Sequence, residues 1–453
     1  MCGIIGLFSK SLNEKKIKKI TKLGDLLSHR GPDETGIYKN KKICFIHKRL
    51  SIVDLSGGSQ PIKNQEYVLI ANGEIYNDLE LRDSFKDFNY KTKSDSESII
   101  AVYKKFGIDG FKKLRGMFSF AIFDIKKSEL ILCRDPFGIK PMYFFKDNEN
   151  FMFSSEISPI IQSGFVKKKL NAKKINELLQ IQFNSGRKTI FNNITRLRPG
   201  EILKIKDNKI IKSHILELKN NNKNVKINEK KLKEKLLESV NLHQRSDVPY
   251  GVFFSGGIDS TTVLYFMSLI NKKPIQAFTI IFKGMEKYND NLNLLANRFG
   301  AKLRSIEFSE NDLWDILPNA VKFMDDPVSD YAILPTYKLA SEAKKYVKVV
   351  LTGEGGDELF GGYGRYRSNY RRLLRKGFLE YGLLNDYLNS KSNLPNWGYD
   401  LSFTRLKINN SDLTNLQKKQ MLDYNEWLPN NILIKLDRCL MAHSLEGRTP
   451  LVD

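Results

Sequence analysis

Tyr250-Gly251-Val252-Phe253-Phe254-Ser255-Gly256-Gly257-Ile258-Asp259-Ser260 is the stretch that decides how the second half of this chain folds. Gly251 to Phe254 is an apolar, strand-like run that stops at Ser-Gly-Gly, and the pattern from Thr261 to Leu269 is helical. Strand, tight loop and helix start follow one another without a gap. Gly256 and Gly257 let the backbone approach a ligand and aim successive N–H groups at it, while a helix start favours negative charge. The segment predicts a seat for a phosphate-sized anion. No Gly-Lys-Ser/Thr follows, so no lysine is placed to reach terminal phosphates as in a Walker A loop.

Ser255-Gly256-Gly257-Ile258-Asp259-Ser260 resembles the pyrophosphate loop of ATP pyrophosphatases. In that family ATP is split between the α and β phosphates, a carboxylate is adenylated, and the loop holds the pyrophosphate. Further strand candidates, Ile275 to Phe282, Leu303 to Phe308 and Val347 to Leu351, alternate with helical stretches at 290–299 and 335–346. That alternation predicts a parallel, doubly wound α/β sheet with ligands at the carboxyl ends of its strands. The loop Thr352-Gly353-Glu354-Gly355-Gly356-Asp357-Glu358 is then expected beside 255–260. Acidic residues facing phosphates need a cation between them, and Mg²⁺ typically binds one or two carboxylates plus phosphate oxygens. Asp259 and Asp357 are the expected ligands.

Gly353-Glu354-Gly355-Gly356-Asp357-Glu358-Leu359-Phe360-Gly361-Gly362-Tyr363 resembles the second signature of asparagine synthetases, as do Lys435 to Arg438 and Met441 to Pro450. The resemblance implies that Glu354 acts in forming and using an acyl-adenylate. It also implies that Phe253, Ser255, Ile280, Thr352 and Gly353 contact the nucleotide, with Gly256, Gly257, Asp259 and Ser260 around the pyrophosphate. Arg365, Arg367, Arg371, Arg372 and Arg375 lie on a basic helical pattern, read as a solvated face with a partner or pyrophosphate contact as the second reading.

In the first half, Cys2-Gly3-Ile4-Ile5-Gly6-Leu7-Phe8 is an apolar strand that begins at a cysteine. With Met1 removed, Cys2 carries a thiol and an α-amine of pKa roughly 7.7–8.0, so the nucleophile brings its own base. Then come His29-Arg30-Gly31-Pro32-Asp33, Arg49-Leu50-Ser51-Ile52-Val53-Asp54, Asn72-Gly73-Glu74-Ile75-Tyr76-Asn77 and Ser94-Asp95-Ser96-Glu97. Gly116 to Ala121 and Arg134 to Gly138 complete the series. It resembles the N-terminal-nucleophile glutaminase domain of class II glutamine amidotransferases. That resemblance implies an αββα sandwich with Cys2 as nucleophile and the Asn72 side chain with the Gly73 N–H as oxyanion hole. It further implies Arg49 on the substrate carboxylate, Glu74 and Asp95 on its ammonium, and Leu50, Ser51, Ile52 and Val53 around glutamine.

At 453 residues two domains are the prior expectation. They are read as a glutaminase over 2–218, a polar linker over 219–228 and an ATP-pyrophosphatase synthetase domain over 229–453. Apolar runs are strand-sized and no signal sequence opens the chain, so a cytoplasmic protein without a membrane partner is expected. Four cysteines, Cys2, Cys44, Cys133 and Cys439, form no Cys-x-x-Cys pair and suggest neither zinc nor disulfides. The net charge of +23 is spread over scattered lysines, which argues against a specific nucleic-acid partner.

Together these residues predict glutamine-dependent asparagine synthesis from glutamine, aspartate and ATP with Mg²⁺, a homodimer being left open. The same machinery on another carboxylate, such as a sugar acid, and a non-catalytic relative are the alternatives. Relatives of the synthetase domain continue past Pro450 with more helices and a further lysine. The sequence in hand reads as a fragment or as a lobe lacking that end, and Met1 as a sign of an unprocessed chain.

Overall fold

The computed structural model describes residues 1–216, 228–369 and 397–453, with the backbone alone at Glu286 and 367–369. All but Asn228 of the expected linker, and Arg371, Arg372 and Arg375, lie outside the described residues.

Two six-stranded antiparallel sheets build the first lobe. One holds Gly3–Ser9 at its centre between Asn150–Ser154 and Ile43–Arg49; the other has Gly116–Asp124 between Tyr67–Ile75 and Glu129–Arg134. The central strands are buried along their whole length, because each sheet has a layer on both faces. Ile4, Phe8, Phe45, Val68, Ile70, Phe123 and Leu132 fill the space between the sheets. Helix Glu14–Gly24 covers the outer face of the first sheet through Ile20 and Leu23, and helix Glu97–Phe106 covers the second through Ile99, Ile100 and Tyr103. This is the predicted αββα sandwich. Its closing hairpin, Glu201–Lys206 and Lys209–Ile215, turns at Asp207 and Asn208, both with positive φ.

The second lobe is a five-stranded parallel sheet in the order Ala301–Phe308, Ile275–Phe282, Tyr250–Phe253, Val349–Leu351, Glu446–Arg448. Apolar clusters on its two faces seat helices Glu229–Leu242 and Ile258–Ile270 on one side and Ile333–Ala343 and Leu433–Met441 on the other. The chain builds outward from Tyr250–Phe253, then returns to the opposite side of that strand with Val349–Leu351. Strand order therefore reverses between these two strands, which opens a crevice at their carboxyl ends. The fifth strand, Glu446–Arg448, is too short and too polar to be seen in the sequence; it forms because it caps the sheet edge beside Val349–Leu351.

The lobes are joined by buried charge. The Arg30 guanidinium donates to both Asp437 carboxylate oxygens at 2.8 Å and to Glu156 at 2.8 Å. Arg438 lies 3.6 Å from Glu156, and Arg196 pairs with Asp326 at 2.6 Å. Such pairs add little net stability, but losing one partner leaves a buried charge alone.

Candidate active site

Cys2 begins the central strand of the first lobe and is almost fully buried. Its backbone N–H donates to Asn72 Oδ1 at 3.0 Å, which leaves the buried Asn72 Nδ2 without a partner among the described residues. That amide donor is free to meet a developing oxyanion. Gly73 has φ +152°, and a Cβ there would meet Met117 O at 2.0 Å, so only glycine lets strand Tyr67–Ile75 pass its neighbour here. Burial raises the Cys2 thiol, against the Met1 ammonium and a Leu50 backbone N–H that favour the thiolate. With Met1 in place the Cys2 nitrogen is an amide and carries no base.

Met1 itself is 3% exposed. Its side chain shares one apolar cluster with Leu50 and Ile52 of the first lobe and with Val252, Met441 and Leu451 of the second. Its ammonium donates to Glu446 Oε2 at 2.6 Å, and Arg448 Nε holds Oε1 at 2.7 Å. Burial opposes ionisation of Glu446, yet the Met1 ammonium and Arg448 pull it down to about 2.

Glu74 and Asp95 sit side by side in the same buried region. Burial, followed by the neighbouring Asp95, raises Glu74 well above the carboxylate range, and burial pushes Asp95 up to about 6. Glu74 Oε1 has no partner among the described residues, and Asp95 Oδ2 accepts the Ile75 N–H at 2.7 Å. Arg49, expected on the substrate carboxylate, has local partners. Its guanidinium donates to the carbonyls of Val53, Asp54 and Leu55 and to Glu34, so in this state it braces the 53–58 loop and points no free fork at a substrate. Ser51 is likewise engaged, its N–H donating to Asp33 at 2.8 Å. Arg448 was missed from the sequence: it reaches from the second lobe to 3.6 Å from Glu74 Oε2.

The crevice of the second lobe is a cavity of about 820 Å³. Every residue expected from the sequence to meet ATP, pyrophosphate or metal lines it, as does Glu354, with one exception. Gly256 faces the other way: at φ +75° it makes the turn, and Leu292 packs where its side chain would be. Ser255 Oγ and Ser260 Oγ lie 3.1 Å apart across the loop, and the Tyr288 hydroxyl donates to Ser255 O at 2.6 Å. The two glycine-rich loops touch, since a Cβ on Gly353 would lie 2.7 Å from Ser260 N.

Burial raises the Asp259 carboxyl, and Asp357 and Glu354 add to it. No basic side chain pairs with Asp259 or Asp357 among the described residues, and no three His, Cys, Asp or Glu side chains gather there as a metal cage. The arrangement fits a Mg²⁺ held by two carboxylates with phosphate oxygens completing its shell. Glu358 also lines the cavity; burial pushes it up to about 7, and it accepts the Tyr363 hydroxyl at 2.8 Å.

A glutamine amidotransferase domain model matches residues 1–215 and an asparagine synthase model matches 231–453. Asparagine synthetase (glutamine-hydrolyzing) 1 of Bacillus subtilis strain 168 is 32% identical over 507 aligned positions, covering 100% of this chain and 79% of its own. A Methanocaldococcus jannaschii protein named putative asparagine synthetase (glutamine-hydrolyzing) 2 is 34% identical, covering 82% and 77%. Among solved structures, the glutamine phosphoribosylpyrophosphate amidotransferase of B. subtilis aligns with 68% of this chain and 81% of its own at 15% identity and a TM-score of 0.35. Two family models in sequence, and relatives of this identity matched over most of their length, mark a glutamine-dependent ligase. The chain belongs to the family of glutamine-hydrolysing asparagine synthetases.

Proposed function

We propose that this protein makes asparagine from aspartate, glutamine and ATP, giving glutamate, AMP and pyrophosphate. The observation that carries the reading is the pairing of two chemically distinct sites: a cysteine at the start of a central strand beside an unpartnered amide donor, and a crevice of about 820 Å³ lined by the carboxylates of Asp259 and Asp357. In the first site the Cys2 thiolate, freed of its proton by the α-amine exposed when Met1 is removed, attacks the glutamine side-chain carbonyl. Asn72 Nδ2 and the Gly73 N–H stabilise the oxyanion. Ammonia leaves, and water then cleaves the thioester to glutamate. Glu74 and Asp95 receive the substrate ammonium, whose charge restores the ionisation that burial opposes. Arg49 takes the carboxylate once the 53–58 loop releases it.

In the second site the β-carboxylate of aspartate attacks the α-phosphorus of ATP, and pyrophosphate departs onto the loop 255–260. Asp259 and Asp357 would hold Mg²⁺, which when bound offsets charge on the departing phosphates. Glu354 serves the acyl-adenylate, and ammonia displaces AMP from it. The ammonia travels inside the protein, because in bulk water it is mostly protonated and no longer a nucleophile.

The test is an acceptor screen. Purified enzyme with glutamine, ATP and Mg²⁺ is expected to release AMP when aspartate is supplied. AMP release only with another acid, such as a sugar acid, would replace aspartate as acceptor and leave the two-site chemistry standing. Release with no acid at all would refute the synthetase reading.

A further inference from the structure

Lys435 lies on helix Leu433–Met441, nearly fully buried, directly behind the crevice wall. Its ammonium is 3.1 Å from Asp330 Oδ2 and 3.4 Å from Glu354 Oε1. The two acids belong to different walls. Glu354 is in the glycine-rich loop after strand Val349–Leu351, while Asp330 Oδ1 accepts the Ala332 N–H at 2.8 Å and so shapes the turn that leads into helix Ile333–Ala343. Tyr331 and Ala332 of that turn and Leu334 of the helix line the cavity. One ammonium therefore ties the wall that carries Asp330 to the acidic loop. Asp357 of this loop and Asp259 of the loop 255–260 have no such partner among the described residues.

We infer that Lys435 is the positioning residue for Glu354, fixing its carboxylate over the reacting acyl group while leaving nucleotide binding to the loop 255–260. The inference rests on the two-site reading above and names a residue that reading does not use. Both acids favour the charged form of the ammonium against burial, in keeping with the two ion pairs it makes. Substituting it removes the only cation paired with Glu354 among the described residues and lets that side chain leave the wall.

The experiment uses the full chain and the acid the screen identifies. Lys435→Met is expected to lower kcat for AMP release at least about tenfold with the KM for ATP within about twofold. Glutamine hydrolysis stays unchanged, which shows that the fold is intact. Lys435→Arg, which keeps the cation, recovers most of the rate. The double variant Lys435→Met with Glu354→Gln is no slower than the poorer single variant, because the lysine acts through the glutamate. A full AMP rate in Lys435→Met, or losses that multiply in the double variant, would overturn the inference. A crystal structure of Lys435→Met decides it even if wild-type enzyme releases no AMP: Glu354 turned from the cavity supports the inference, and Glu354 in its original place refutes it.

Discussion

Gly353→Ala tests the contact on which the crevice depends. The added methyl would sit 2.7 Å from Ser260 N, 2.9 Å from the Asp259 carbonyl carbon and 3.0 Å from Asp259 Cβ. The nearest atom is backbone in the first turn of helix Ile258–Ile270, so no side chain can swing aside. Reaching ordinary contact requires the two loops to part by about 0.7 Å. Overpacking of this kind costs about 1–3 kcal/mol, a fall of about 2–12 °C in the midpoint of a lobe this size. The chemistry suffers more, because a displacement near 1 Å between reacting groups costs up to about a hundredfold. Differential scanning calorimetry with AMP-release kinetics is the assay, glutamine hydrolysis being the internal standard. Gly257→Ala is the stability control, since its methyl meets only Ser255 Oγ at 3.4 Å. Wild-type melting and AMP release in Gly353→Ala would refute the claim that loop-to-loop contact sets the site.

The remaining expectations concern the nucleophile, the cation and pH. A chain carrying one extra residue before Met1, and so unable to expose the Cys2 amine, is expected to lose glutamine hydrolysis as fully as Cys2→Ala; intact mass spectrometry of the active enzyme should show Met1 gone. Asp357→Asn should raise the Mg²⁺ concentration needed for AMP release by about tenfold, without changing glutamine hydrolysis, as titration of the cation would read. His47 donates through Nε2 to Ala71 O at 3.1 Å, and burial pulls its pKa from 6.5 to about 3. The folded state thus keeps it neutral while the unfolded chain protonates it, so its stabilising share is full above pH 6.5 and fades as pH falls toward 3. Between those limits wild type should lose stability about 1.4 kcal/mol per pH unit faster than His47→Gln, measured by urea unfolding at a series of pH values.

Much of this was legible from residue order. The loop 255–260 announced itself because glycine, acid and hydroxyl residues fall between an apolar run and a helical one, and a strand starting at Cys2 is visible in seven consecutive apolar or small residues. What stayed hidden depends on distance in space. Strand Glu446–Arg448 has no apolar pattern of its own, since its fit comes from an edge supplied by residues about a hundred positions earlier. Lys435 and Arg448 look like surface charges until the fold buries them beside Glu354 and Glu74. Arg49 shows the converse: its residue type suits a carboxylate, but local carbonyls compete for the same fork.

The enclosure of Met1 sets an order of events during biosynthesis. Its amine is held by Glu446, 445 residues downstream, and by an apolar nest to which both lobes contribute. When the first residues leave the ribosome, the groups that will wall them in have yet to be translated, and a methionine-trimming peptidase has open access. Once the last strand docks, that access closes. On the proposed mechanism, a molecule that kept Met1 until this cluster closed would have its Cys2 nitrogen locked as an amide, so trimming would have to precede docking of the strand that carries Glu446.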